Sequence, residues 1–232
     1  MTDRRAELLK AIIEEYVKTA EPIGSAFLAA KAFDVSPATI RKEMATLEEE
    51  GFLHQPHTSA GRIPTEIAYR HYIDNFLKPK EIATQKLGDM ARDLRSSSTD
   101  IREVMKKFAK ALAEYTNHTV ILGFGPTDVY YTGISNLFSK PEFVEAGRVA
   151  TLSSVVDRFD EIITRNFDQV DGVMVRIGSE CLFGRECGSV MAKCLVVKQP
   201  VLFTLLGPMR MPYDKLVGIA KQTKQILEAF EE

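Results

Sequence analysis

Cysteine is scarce: three in 232 residues. Cys181, Cys187 and Cys194 form an odd set with no histidine close by, the nearest being His118, so neither a disulfide framework nor a zinc site fits. Buried thiols on strands, in a reducing compartment, account for them; a redox sensor is the other reading. Fourteen glycines and ten prolines are too few for a collagenous or low-complexity chain, and an apolar share of 45% is too high for a disordered one. Long apolar runs are missing too. The greasiest stretch, Leu195 to Leu206, is broken by Lys198, Gln199 and Pro200, short of the roughly eighteen residues that span a bilayer. The N-terminus enters an amphipathic pattern without an apolar signal core, so a cytoplasmic protein with no membrane partner is expected. Short catalytic motifs are absent: there is no G-x-x-x-x-G-K-[ST], no H-E-x-x-H and no G-x-S-x-G. Glu180, Arg185 and Glu186 near the cysteines read as solvated loop charges, and His54-x-x-His57 lacks a third ligand. No catalytic residue, metal or cofactor is expected.

What the chain does have is periodicity. A helical pattern ends in Leu77-Lys78-Pro79-Lys80-Glu81, a charged, proline-containing stretch that marks a domain boundary. Before it, Leu8, Leu9, Ile12, Ile13, Tyr16 and Val17 predict a first helix of about three turns. Ser25 is placed as the cap of a short helix through Ala32. Ser36-Pro37, an N-cap serine followed by proline at the first helical position, opens a third, with Ile40, Met44 and Leu47 as its buried stripe and Gly51 as its stop. Phe52–Gln55 and Arg62–Ile63 read as short strands around a polar turn, and a last helix runs from about Thr65 to Leu77 on Ile67, Tyr72, Ile73 and Phe76. This is the layout of a winged helix-turn-helix over residues 1–78. Residues 79–118 read as a linker with two connecting helices, Ile82 to Leu94 and Ile101 to Tyr115, around Ser96-Ser97-Ser98, the second opened by an Asp100/Glu103 capping box. Residues 119–232 read as an α+β domain with a mainly antiparallel sheet: strands at Thr119–Phe124, Val129–Ile134, Gly172–Ile177, Val190–Val197 and Val201–Leu206, a helix on Leu152, Val155, Val156, Phe159, Ile162 and Ile163, and a closing helix from about Tyr213.

Projected at 100° per residue, the third helix puts Ala38, Lys42, Ala45 and Glu49 opposite its apolar face, flanked by Thr39 and Arg41. Its outward N-terminal half is small or basic and its C-terminal end is Glu48-Glu49-Glu50, the reverse of what the helix dipole favours. Either the N-terminal half enters an anionic groove, or this is an ordinary surface helix. The whole chain carries Lys+Arg 30 against Asp+Glu 32, and residues 1–78 are themselves slightly acidic, so nucleic-acid binding must use a local patch: Arg41, Lys42, Arg62 and Arg70, with His54 and His57.

Glu21-Pro22-Ile23-Gly24-Ser25, Val35-Ser36-Pro37-Ala38-Thr39-Ile40-Arg41-Lys42-Glu43-Met44, and above all Gln55-Pro56-His57-Thr58-Ser59-Ala60-Gly61-Arg62-Ile63-Pro64-Thr65 followed by Tyr69-Arg70-His71-Tyr72 resemble the heat-inducible transcription repressor HrcA family. The resemblance returns at Gly133–Phe138, Pro141-Glu142-Phe143 and Gly207–Tyr213. It implies a repressor of chaperone genes that binds double-stranded DNA at an inverted-repeat operator as a homodimer, a GAF-like second domain for dimerisation or regulation, and a GroEL-type chaperonin as a partner. The chain departs from the family by passing almost directly from Thr119–Pro126 to Tyr130–Phe143, so most of the early GAF strands and the inserted dimerising segment are missing. A winged-helix regulator whose GAF-like domain senses a small molecule is the alternative reading.

Within the matched motif, Ser36 caps the recognition helix and is itself expected at the DNA, Ala38, Thr39 and Lys42 are expected to meet base edges and Arg41 a phosphate or guanine. Thr58, Ser59 and Arg62 on the wing are expected to meet backbone or minor groove. His57 either touches DNA or bonds the wing's own backbone, and Tyr69 and Tyr72 are core. The stripe Ile101, Val104, Met105, Phe108, Leu112 and Tyr115 packs on its own sheet or on a partner copy.

Overall fold

A computed structural model describes residues 2–31, 33, 35–80, 87–89, 91–92, 100–125, 127–144 and 153–229. The chain divides into two compact units, Met1–Lys78 and Pro79–Glu232.

The first unit has three helices, α1 (Asp3–Thr19), α2 (Ser25–Lys31) and α3 (Pro37–Glu49), then a hairpin of β1 (Leu53–His54) and β2 (Ile63–Pro64), and α4 (Glu66–Asn75). α1 is longer than its apolar stripe suggests because Thr2 caps it. Ser25 lies inside α2, whose first hydrogen bond runs from the Leu28 N–H to the Gly24 carbonyl; Ala32 lies outside the described residues. The Ser36 hydroxyl accepts from the Thr39 N–H and Pro37 occupies the first turn of α3, whose Ile40, Met44 and Leu47 are buried. Gly51 leaves α3 at φ +82°, a conformation only glycine adopts cheaply. On α4, Thr65 is the cap and Ala68, Tyr69 and Tyr72 are buried, whereas Ile67, expected in the core, is 58% exposed.

The second unit is built on a five-stranded sheet, order β4-β3-β7-β6-β5, every pair antiparallel. Its strands are β3 (Thr119–Gly125), β4 (Asp128–Thr132), β5 (Val173–Ile177), β6 (Cys187–Val196) and β7 (Gln199–Pro208), with α5 (Ile101–Thr116), α6 (Ile134–Phe138), α7 (Phe159–Phe167) and α8 (Tyr213–Glu228) around them. The central strands are covered on both sides. Ile121, Met191, Leu202 and Leu206 face α7 through Phe159, Ile162, Ile163 and Phe167; the alternating residues Val120, Leu122, Val190 and Phe203 face away from α7. α5 packs on β3 and β4, and α8 on β5 and β6.

Two expectations are corrected. α5, read as a connector, belongs to the core of this unit: Val104, Met105, Phe108 and Leu112 are buried within the chain itself, so its stripe is not left for a partner copy. Its cap is Asp100, which accepts from the Arg102 N–H at 2.9 Å. β4 stops at Thr132 rather than Ile134, because Gly133 turns at φ +73° where a Cβ would come within 2.8 Å of the Ala113 side chain. The helix expected over residues 82–94 is helical at 87–89 and 91–92, the remainder lying outside the described residues, as do Ser96–Ser98 and Leu152. The three cysteines are free and buried; burial pushes the Cys181 thiol up to about 11, Cys194 up to about 12 and Cys187 higher still, far from the reactive thiolate range.

The second-domain motif residues meet around His118. Asn136 Nδ2 donates to the Ala113 carbonyl at 3.1 Å and to the His118 carbonyl at 3.2 Å, joining α6 to the end of α5. Arg210 pairs with Glu142, and the Tyr213 hydroxyl donates to the Met209 carbonyl at 2.7 Å. The β6–β7 turn is made by Val197 and Lys198 at φ +49° and +62°.

Candidate nucleic-acid interface

α3 is pinned by its apolar face and capped at its N-terminus, which leaves Ser36, Ala38, Arg41 and Lys42 exposed on the outward side. Thr39 is half-buried, its hydroxyl 3.0 Å from that of Ser36. The N-terminal end of a helix carries a partial positive charge from its unsatisfied N–H groups, so exposed Arg41 and Lys42 add to a field of the same sign.

Six acids of this unit pair with its other seven described cations. Glu43 holds Arg4, and Arg5 at 3.0 Å; Glu50 holds Arg5 at 2.7 Å. The Arg4 guanidinium, with Arg5 beside it, keeps the Glu43 carboxyl below its ordinary range. Glu15 takes Lys31 at 2.6 Å and Lys18 at 3.7 Å, and Glu7 takes Lys10. Glu48 holds Arg62 at 2.9 Å, and Asp74 holds Arg70 at 3.6 Å. Among the described residues of this unit, the cations without an acidic partner are Arg41, Lys42 and Lys78. A weakly acidic unit thus presents two of these three cations, Arg41 and Lys42, side by side on the outward face of one helix. Of the three acids at the C-terminal end of α3, unfavourable to its dipole, Glu48 and Glu50 are offset by these partners from the wing and α1.

The wing is a short hairpin with a third partner: the Ile23 N–H donates to the Arg62 carbonyl and the Arg62 N–H to the Ile23 carbonyl, both at 2.9 Å. Gly61 permits this, since a Cβ there would fall 2.5 Å from the Ile23 backbone. Gln55 organises the turn, its side-chain amide donating to the carbonyls of Thr58 at 3.1 Å and Ala60 at 2.9 Å. His57, Thr58 and Ser59 are exposed at the tip, and the His57 carbonyl accepts from the Ala60 N–H. Arg62, expected on DNA, is drawn out of the exposed set: its side chain is 14% exposed and bonded to Glu48. Arg70 is likewise paired on its own helix. Gln55, Glu48 and Gly61, absent from the expected site, prove to shape it. A polar residue at the base of a turn and a glycine before a strand were the only signals for two of them.

Comparison with known proteins gives a consistent picture. The family model described as HrcA protein C terminal domain matches residues 63–217, and a DeoR-like helix-turn-helix domain matches residues 10–66. The heat-inducible transcription repressor HrcA of Pelotomaculum thermopropionicum is 26% identical over 339 residues, covering 98% of this chain and 97% of that protein. An alignment of that length against 232 residues leaves more than a hundred positions of the relative without a counterpart here. The heat-inducible transcription repressor HrcA of Symbiobacterium thermophilum is 47% identical over 129 residues, 53% of this chain and 36% of that protein. A crystal structure of a hypothetical protein superposes with a TM-score of 0.72 at 18% identity, over 100% of this chain and 97% of its own, which fixes the fold.

Proposed function

The chain belongs to the HrcA family, and from that premise we propose that it is a DNA-binding transcription repressor of heat-shock chaperone genes, a regulator rather than an enzyme, acting in the cytoplasm. The observation that carries the reading is the unpaired positive charge of Arg41 and Lys42 on the outward face of a capped, well-anchored α3. In this reading the N-terminal half of α3 lies in the major groove, Ala38, Thr39 and Lys42 address base edges and Arg41 a phosphate or a guanine, while Thr58 and Ser59 meet the backbone beside it. So few free cations per copy favour two copies acting together, on an inverted repeat whose half-sites lie roughly 34–36 Å apart or a multiple of that. With the stripe of α5 occupied, the dimer contact must come from elsewhere in the second unit. A GroEL-type chaperonin as partner is supported by family membership alone.

Selection of duplexes from a random pool by the full chain tests this. Enrichment of an inverted repeat is the expected result, and residues 1–78 alone should bind that duplex much more weakly. A pool left without enrichment, or one enriched in an unrepeated site held equally well by the fragment, would overturn it.

A further inference from the structure

Glu48 stands at the end of α3 where a carboxylate opposes both the helix dipole and a polyanionic ligand, yet it makes two directed bonds. Its Oε2 accepts from Arg62 Nε at 2.9 Å and its Oε1 from the backbone N–H of Gln55 at 3.1 Å. Gln55 follows β1 and Arg62 precedes β2, so one carboxylate joins both sides of the wing's base to α3. The chain of contacts continues outward through the Gln55 amide to the carbonyls of Thr58 and Ala60. It continues inward through the Arg62 backbone to Ile23. Charge-assisted bonds of this kind are short and directional, and two on one carboxylate fix orientation as well as distance.

We propose that Glu48 is a positioning residue for DNA recognition: it sets the wing on α3 so that Thr58 and Ser59 address the same duplex as Lys42, and Arg62 is its partner rather than a phosphate contact. The proposal rests on the DNA-binding reading above. Simple electrostatics argues for the opposite sign. Neutralising a carboxylate on α3 and releasing a guanidinium should raise affinity for any DNA, whereas loss of a positioning bond should lower affinity for the chosen sequence alone.

The full-length chain carrying Glu48→Gln separates these. Without DNA, the amides of residues 55–61 that have an N–H should exchange about tenfold faster, the size of one bond to a charged group, while those of α1 and α3 keep their wild-type rates. Unchanged exchange in the wing overturns the proposal whatever DNA does. With DNA, the probes are the duplex selected by the wild-type chain and a random duplex of equal length. The ratio of the two affinities should fall about tenfold, with random-duplex affinity unchanged or higher. Thr58→Ala with Ser59→Ala, costly in the wild type, should cost nothing more in Glu48→Gln. Arg62→Lys serves as the second variant: it keeps the charge a phosphate contact needs but loses the Nε bond, and it should lower the ratio as Glu48→Gln does. A full ratio in both variants overturns the proposal. A wild-type chain that selects no duplex overturns the DNA-binding reading instead, and the exchange rates still decide whether Glu48 holds the wing.

Discussion

Acidification should weaken the second unit through His118. The ring is buried, its Nδ1 2.7 Å from the Thr116 carbonyl and so the protonated nitrogen, and its Cδ2 lies where a Cβ on Gly207 would come within 2.7 Å. Desolvation lowers its pKa most; the bond to Thr116 opposes this, and the charges of Lys140, Lys215 and Arg210 lower it further, to about 4. An unfolded chain takes up that proton near 6.5. Between these values the unfolded state binds one more proton than the folded one, so stability is full above pH 6.5 and falls with pH at up to about 1.36 kcal/mol per unit. The loss is about 2 kcal/mol at pH 5 and about 3 kcal/mol near pH 4. Urea unfolding followed by circular dichroism at pH 7 and pH 5 measures it, and His118→Asn, which keeps a donor for Thr116 but does not titrate, isolates it from the carboxylates common to both chains. Parallel losses in wild type and variant, or a ring-carbon titration by NMR with its midpoint near 6.5, would refute the reasoning.

Lys42→Ala should relax base preference at one position of each half-site, by about 1–3 kcal/mol, in binding assays on single-substituted duplexes; uniform weakening across sequences would move Lys42 to the phosphates. Gly61→Ala forces its Cβ into the Ile23 backbone and loses two hydrogen bonds worth about 1 kcal/mol each. The thermal transition of the first unit should drop by roughly 4–8 °C per kcal/mol, and calorimetry showing no change would discount the wing's third partner. Val197→Asn with Lys198→Gly supplies the residues that a two-residue turn at positive φ prefers; it should raise the stability of the second unit by about 1 kcal/mol, read by denaturant midpoint, and a lower midpoint would mean that Val197 holds its place for another reason.

What could be read from the sequence was local. Ser36-Pro37 and Gly51 bound α3 through bonds that close within a few residues, and the alternation in β3, β6 and β7 needs only neighbours to be seen. The errors concern direction and distance. α5 has an apolar stripe in either reading, but which surface it covers depends on β3 and β4, which come later in the chain. Ile67 is apolar on a helix whose buried side is taken by Ala68, Tyr69 and Tyr72; a single apolar residue one step off the stripe carries no sign of that. Arg62 is a basic residue on a wing, and nothing near it in sequence announces that its partner is Glu48 on the preceding helix. Charge that is spent within a domain looks the same in a sequence as charge that is free.

Raising the ionic strength acts on the first unit twice. Under the proposed function it screens the charge of the duplex from Arg41 and Lys42, and it also screens Arg62 from Glu48 and Arg5 from Glu50, the Debye length shrinking from about 10 Å at 0.1 M to about 3 Å at 1 M. A logarithmic plot of affinity against salt, read at about 0.9 per phosphate, will therefore count internal pairs that open along with counterions that leave DNA. The line should bend downward as the wing loosens, and only its low-salt limb gives the number of phosphates touched. Compared with a variant in which Glu48 and Arg62 are both replaced by glutamine, the wild-type curve should keep that bend while the variant's runs straight from a weaker start.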